Sequence, residues 1–328
     1  MGSTISTTAS TPSRSVSVRR SRTRSRSRRS KRPSLGSCPV SVSRSGFKWL
    51  LVALAAAGCT RVVDLTVSQG PVRLVIEGRI ELRDNDPVAR QRIRLTTTDA
   101  YQSSAPPPPA RGAVVRVADD AGRSFAFTES ATEPGVYQRD GLAPVIGARY
   151  TLTIDFDGER YEGSHQLNPV APIDSLYFIY REQGLAQGDS GFRALIDYAD
   201  PAGTKNYYLW ELLVDGKPRL NTDPGNQFRI ISDDRFYDGG RVIGYQPYDE
   251  EVVEPGQQVT LRQVALSEGG FRYYTALFKQ TTGGGGPFST PPASVRGNMS
   301  NRTNQSHYPL GYFFSAQVSE RTTPVPPR

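Results

Sequence analysis

Tyr150-Thr151-Leu152-Thr153-Ile154-Asp155-Phe156, then Asp157-Gly158, then Glu159-Arg160-Tyr161-Glu162, is the stretch whose reading decides the fold. The first seven residues alternate strictly and place Tyr150, Leu152, Ile154 and Phe156 on one face of an extended strand. Asp-Gly tolerates the positive φ that a two-residue hairpin turn demands, so a return strand follows at once. The result is a hairpin with one apolar face, which must be covered by another layer. Upstream, the same grammar repeats. Residues 72–82 are rich in β-branched residues, Gln91–Thr97 follows as a second strand, and Pro106 to Pro109 form a polyproline loop expected to stay out of any sheet. Strands at 113–118, Ser124–Glu129 and Val136–Arg139 are separated by turns at Asp119-Asp120-Ala121-Gly122 and Pro134-Gly135. Short strands at intervals of about ten residues argue a β-sandwich.

Residues 168–172 read as a boundary. Beyond it, strands are expected at 173–180, 192–198, 206–214 and 259–266, with another hairpin turn at Asp215-Gly216. At Ser267 the period changes. Ser267 and Glu268 can cap a helix whose Phe271, Tyr274, Leu277 and Phe278 share a face, and a last strand spans 310–319. The chain therefore reads as mainly β. An N-terminal immunoglobulin- or transthyretin-like β-sandwich (71–168) precedes a second β-rich domain with one short helix (172–320) and a tail (321–328).

What precedes residue 71 is of a different kind. The 328 residues hold 40 Lys+Arg against 32 Asp+Glu, a net charge of +8. Residues 1–58 contain twelve basic residues and no acidic one, which leaves 28 basic against 32 acidic in the rest, a net of −4. The positive excess is thus confined to an Arg/Ser-rich stretch too polar to fold, and a nucleic-acid partner is not expected for the body. Phe47-Lys48-Trp49-Leu50-Leu51-Val52-Ala53-Leu54-Ala55-Ala56-Ala57-Gly58-Cys59 has a basic flank, a short apolar core and small residues, the pattern of a secretion leader. Cleavage is expected after Gly58, and the Cys59 thiol is the expected lipid-attachment site, although Ala56 stands where a lipobox usually has Leu. Residues 59–70 would then be a tether, and acyl chains would hold the body to a membrane. Thr60 after the cysteine points to the outer membrane, on either its periplasmic or its cell-surface face. Cys38 and Cys59 are the cysteines of the chain, so the body has neither a disulfide framework nor a cysteine metal site.

Catalytic motifs are weak. Gly283 to Gly286 are followed by Pro287-Phe288, where a phosphate-binding loop would need Lys and Ser or Thr. Acidic clusters at Asp84-Asn85-Asp86, at Asp233-Asp234 with Asp238, and at Asp249-Glu250-Glu251 read as surface turns, since none supplies a full calcium loop. His165 and His307 are the two histidines, and neither lies in a nucleophile-elbow pattern. Three sequons, at Asn298, Asn301 and Asn304, read as a polar loop. No catalytic residue, cofactor or metal site is nominated. Tyrosines crowd the second part, and Tyr207, Trp210, Tyr245 and Tyr248 are the candidate ligand surface, because aromatic rings with polar tips suit a wet interface.

Two sets of residues carry a resemblance. At the front are Cys59-Thr60, Val75-Ile76-Glu77-Gly78, Gly112-Ala113-Val114-Val115, Pro134-Gly135-Val136-Tyr137 and Pro172-Ile173-Asp174-Ser175. At the back are Val264-Ala265-Leu266-Ser267, Tyr273-Tyr274, Pro287-Phe288-Ser289-Thr290-Pro291-Pro292, Arg296-Gly297-Asn298 and Leu310-Gly311-Tyr312-Phe313. Together they resemble the domain-of-unknown-function 4249 lipoproteins of Bacteroidota over essentially all of 59–320. The resemblance implies an outer-membrane lipoprotein encoded beside a TonB-dependent receptor. The resulting expectation is a non-enzymatic accessory that captures a peptide or glycan for that transporter. An envelope adhesin or structural β-module is the alternative, and a glycan or peptide hydrolase with dispersed carboxylates is a further one.

Overall fold

A computed structural model describes residues 70–100, 103–182, 190–219, 229–282 and 294–328. The Arg/Ser-rich stretch, the expected leader with Gly58 and Cys59, most of the expected tether, and the run 283–293 with its glycines and Pro287 to Pro292 lie outside these residues. The strands in chain order are β1 (Leu74–Arg83), β2 (Gln91–Thr97), β3 (Val114–Asp119), β4 (Ser124–Glu129), β5 (Val136–Arg139), β6 (Arg149–Phe156) and β7 (Glu159–Gln166). There follow β8 (Ile173–Arg181), β9 (Gly191–Ala199), β10 (Tyr207–Val214), β11 (Lys217–Pro218), β12 (Ile231–Asp233), β13 (Arg241–Tyr245) and β14 (Gln258–Ala265). Helix α1 (Glu268–Thr282), β15 (Ser300–Asn301) and β16 (Leu310–Pro324) complete the chain.

The deciding hairpin forms as its pattern demands. β6 and β7 pair from Arg149↔Gln166 to Phe156↔Glu159, and Asp157 and Gly158 take φ of 50° and 73°. Tyr150, Leu152 and Ile154 are fully buried. They face Ile76 and Ile80 of β1, Ile93 and Leu95 of β2, Val115 and Val117 of β3, and Tyr137 of β5 in one core. A second core gathers Ile173, Ile196, Trp210, Leu212, Leu261 and Val264 from the strands beyond residue 170. Leu167 belongs to the first core and Val170 to the second.

The two halves are nevertheless built on one sheet. Its order is β11-β10-β14-β16-β1-β2-β5-β4-β3-β6-β7-β15, with β12 beside β10, while β13-β9-β8 form a separate three-stranded sheet. β16 lies between the halves, antiparallel to β14 and parallel to β1 with Val75↔Leu310 through Arg83↔Val318. It serves both cores by alternation, since Phe313 belongs to the first and Phe314, Ala316 and Val318 to the second. Two expected limits change accordingly. Residues 298–313, assigned to the second domain, supply Met299 and Phe313 to the first core. Residues 321–324, assigned to the tail, continue β16 against β14, from Leu261↔Arg321 to Gln258↔Pro324. The polyproline loop also departs from expectation. Prolines lack an N–H but keep a carbonyl, and Pro108 accepts the Thr97 N–H at 2.8 Å while Pro109 bridges Thr96.

Glycine is needed where backbones nearly touch. Gly311 has φ 88°, and a Cβ there would lie 2.1 Å from the Ile76 carbonyl oxygen. A Cβ on Gly297 would lie 1.6 Å from the Gly311 oxygen. These contacts let the segment before β16 fold flat onto the start of β1.

Candidate functional site

A cleft of about 1030 Å³ lies on the face of β1 and β2 that points away from the first core. Alternation along β1 buries Leu74, Ile76 and Gly78 on one side and presents Val75, Glu77 and Arg79 on the other. β2 adds Arg92 and Arg94, and Glu77 stands opposite Arg94 in register. Helix α1 forms the facing wall with Tyr273, Tyr274 and Leu277, and β16 contributes Tyr312 and Phe314. Ser267 begins the helix by accepting the Gly270 N–H at 3.1 Å, and Glu268 sits at its positive end. The expected apolar face is present, but none of Phe271, Tyr274, Leu277 and Phe278 is fully buried. Part of that face is left for the cleft.

The rings of the wall support one another. Tyr273 and Tyr312 have centroids 5.0 Å apart, and Tyr274 meets Phe314 edge-on at 6.5 Å. The Arg79 guanidinium lies 4.7 Å over Phe314. Burial pushes the Tyr273 phenol up to about 12, so it stays a neutral hydrogen-bonding group. On the floor Arg92 is paired with Glu133, and Arg79 holds Glu211 at 2.6 Å and Glu81 at 3.1 Å. Arg79 is the visible end of a charged row crossing four strands. Arg262 of β14 binds Glu81, Glu211 at 2.6 Å and Glu320 at 3.3 Å. Burial opposes the charge on Glu81, yet Arg79, Arg262 and Arg83 overcome it and hold its carboxyl at about 2. The cleft floor is thereby fixed by ion pairs on its inner side and left mixed in charge at its mouth.

The aromatic residues expected at a ligand surface are placed differently. Trp210 is fully buried and donates its Nε1–H to Gln263 at 2.8 Å. Tyr248, 6% exposed, donates to the Trp210 carbonyl at 3.1 Å. Both are core residues, because β10 is covered on both faces. Tyr245 is half-buried with its ring 4.6 Å from Trp210, and its hydroxyl donates to Arg229 O at 2.6 Å. Tyr207 is half-buried on Phe271 and borders a small cavity of about 290 Å³ with Lys205, Asp233 and Arg235. The aromatics that line the large cleft are instead Tyr273, Tyr274, Tyr312 and Phe314. The visible signal was the paired Tyr273-Tyr274 on an amphipathic helix whose other face is polar.

The histidines have defined partners. His165 Nε2 lies 2.8 Å from Ser267 Oγ, a contact that suggests a nucleophile and its base. The other ring nitrogen excludes that role in this arrangement. Nδ1 accepts the Ser315 backbone N–H at 3.1 Å, so the ring proton is on Nε2 and donates to Ser267. A base for Ser267 would need Nε2 bare. Burial lowers the His165 pKa to about 4, which keeps the ring neutral. His307 is the reverse case. Nε2 donates to Val72 O at 2.5 Å and Nδ1 to Glu159 at 2.6 Å, and these acceptors raise its pKa.

Of the acidic clusters, Asp84 accepts from Ser319 Oγ at 2.9 Å and the Glu320 N–H at 3.1 Å, tying a turn to β16. Asp249 pairs with Arg181 and Arg229. Asp234 and Asp238 converge with Asp200, which sequence reading had not joined to them, with carboxylate oxygens within 4.8 Å of one another. Backbone amides occupy these groups, from Asn206 to Asp234 at 2.6 Å and from Gly203 to Asp238 at 2.7 Å. Burial, with the neighbouring Asp234 and Asp238 charges, raises the Asp200 pKa against the bonds from Tyr208 and Gly239. Two of the sequon asparagines are structural. Asn298 exchanges both side-chain hydrogen bonds with the Phe313 backbone, at 2.6 and 2.9 Å, and Asn301 is buried with its amide on His307 O.

Comparison with known proteins places this chain by family and not by activity. A search of curated proteins finds no match. Among solved structures, a crystal structure of a DUF4785-family protein from Legionella pneumophila is similar at 9% identity and a TM-score of 0.23. The alignment covers 58% of this chain and 52% of that one, so this chain spans about half its length. A likeness of that size carries no argument about fold or function. The family described as "Domain of unknown function (DUF4249)" matches residues 60–322, and the chain belongs to it.

Proposed function

We propose that the protein is a non-enzymatic lipoprotein of the outer membrane that captures a ligand in the cleft between α1 and β1–β2 and passes it to a TonB-dependent receptor. The observation that carries the reading is the cleft itself. Its volume is at the upper end of the range of about 300–1,000 Å³ typical of ligand sites, and it joins an aromatic wall to a few charged groups. Tyr273 and Leu277 offer apolar area, while Glu77 and Arg94 offer opposite charges for a zwitterionic backbone or a polar sugar. Among the carboxylates that line it, Glu77 and Glu133 are exposed, and Glu133 is taken by Arg92. A carboxylic acid kept neutral for proton transfer needs burial, which supports capture over hydrolysis. The leader pattern ending at Cys59 supports the lipid anchor, and nothing in the body's net charge of −4 favours a nucleic acid.

The test is affinity purification of the full-length protein from detergent-solubilised envelopes. A barrel receptor recovered in stoichiometric amount supports the reading, and its recovery should fall in Leu277→Arg, which charges the wall without touching a core. Recovery of the protein alone, from cells grown on peptide and on glycan, would overturn the partnership.

A further inference from the structure

Where the tether joins the body, two arginines clasp a tyrosine. The guanidinium carbons of Arg73 and Arg296 each lie 3.8 Å from the Tyr308 ring centroid. Both cations therefore pack against one aromatic ring. Arg73 donates to the carbonyl oxygens of Tyr308 at 2.8 Å and Ser306 at 3.4 Å. Among the described residues neither arginine has a carboxylate partner, in a body where most arginines do. The nearby carboxylate, Glu159, is occupied by His307 and by the Tyr161 hydroxyl at 2.5 Å. The pair is therefore a built, unneutralised cationic patch.

The patch is fixed to the point where the chain leaves for Cys59. His307 holds the Val72 carbonyl at 2.5 Å. The Arg73 N–H donates to Thr98 Oγ1 at 2.9 Å, and the Thr98 N–H returns to Arg73 O at 2.9 Å. Val72, beside it, is 62% exposed. From Cys59 to Val72 the chain reaches at most about 45 Å fully extended. A body with a net negative charge would be repelled by an anionic bilayer, except through a local positive face.

We propose that Arg73, Arg296 and Tyr308 form a docking surface for the net-anionic phosphate headgroups of the membrane that holds the anchor. Planar guanidinium forks match phosphate oxygens, and the tyrosine they share suits the water–lipid boundary. This docking rests on the lipid-anchor reading above and sets the orientation of the anchored body.

The experiment uses the acylated protein reconstituted into phosphatidylcholine vesicles with and without phosphatidylglycerol. Backbone hydrogen exchange is followed in peptides covering 70–75 and 296–308, and intact mass reports acylation at Cys59. Two basic residues at such a surface favour the docked state by about thirtyfold. Exchange in both peptides should slow in the anionic vesicles, recover in high salt, and be insensitive to vesicle charge in Arg73→Gln/Arg296→Gln. Arg296→Gln alone, at an exposed position, should lose about half of the effect on a logarithmic scale, which guards against misfolding of the double variant. Equal exchange in both vesicles by an acylated protein overturns the docking and leaves the anchor standing. A protein without acyl mass overturns the anchor and the docking together.

Discussion

Phe313→Ala should unfold the N-terminal core from the C-terminal end of the chain. Phe313 is fully buried and belongs to the core of β1–β7, although it lies more than 130 residues beyond the last of those strands. Truncating a buried phenylalanine costs about 3–5 kcal/mol. The surroundings place this site in the upper half of that range. The ring lies where a Cβ on Gly78 would be 2.9 Å from it, and Leu152 packs at the same spot. Gly78 has no side chain to move inward, and the backbones of β1 and β6 are fixed by their ladders, so the void cannot close. A loss of about 4 kcal/mol raises the open population roughly a thousandfold and lowers the melting temperature by about 8–16 °C for a body of this size. Hydrogen exchange resolved by strand is the assay. If β16 welds the halves into one cooperative unit, the amides of β6 and those of β10 accelerate together. Retention of wild-type protection in β6, with loss confined to β14 and β16, would refute the shared unit.

Other perturbations separate the remaining ideas. Gly311→Ala forces a Cβ to within 2.1 Å of the Ile76 oxygen at positive φ and should abolish soluble folded protein, whereas Gly122→Ala, with φ 83° and open space, should cost about 1–2 kcal/mol by chemical denaturation. Glu81→Gln leaves Arg79, Arg83 and Arg262 short of a buried partner and should cost about 3–5 kcal/mol, read as a lower denaturation midpoint at unchanged slope. The histidines predict opposite pH slopes. His165 has a folded pKa of about 4, below its unfolded value, so its contribution of about 3 kcal/mol is present above pH 6.5 and is lost as pH falls towards 4. His307 has a raised pKa, so its contribution is present below its unfolded value and is lost as pH rises through the folded one. Stability measured against pH should fall less between pH 6.5 and 4 in His165→Gln and should fall less above pH 6.5 in His307→Gln. An unchanged profile in either variant would remove the bond network assigned to it.

Most of the ladder could be read from the sequence, because sheet formation follows local alternation and turn chemistry. β2, β4 and β5 have the bounds their patterns imply, and both Asp-Gly turns take positive φ. Four short strands carry no such pattern. β11, β12 and β15 hold two or three residues each, and β13 contains Gly244 and a register shift, so tertiary pairing alone makes them strands. The site was harder. Alternation says which face of β1 is polar but not that α1 returns across it, since that depends on a contact between residues 79 and 274. Trp210 illustrates the same limit. An aromatic in a tyrosine-rich strand suits either a surface or a core, and burial on both faces of β10 decides for the core. The charged row was invisible for a related reason. Glu81, Glu211, Arg262 and Glu320 become neighbours only when β16 is inserted between β1 and β14.

That insertion explains why β1 carries the residues it does. β1 pairs with β2 at once, but its other edge waits for a strand that begins at residue 310. Until then the edge is open, and an open edge invites pairing with another chain. Contacts so distant in sequence also form slowly. Glu77, Arg79, Glu81 and Arg83 place alternating charges along this strand, which would discourage a foreign edge during that interval. When β16 arrives, it supplies Phe313 to one core and Phe314 to the other, and Ser319 accepts the Ile173 N–H at 3.0 Å at the head of β8. The charges on β1 then find Arg262 and Glu211, and Tyr312 and Phe314 complete the wall above them. The cleft is thus completed by the last strand of the chain, so a chain lacking 310–324 would lose the Tyr312 and Phe314 wall and the Phe313 packing of the N-terminal core by the same omission.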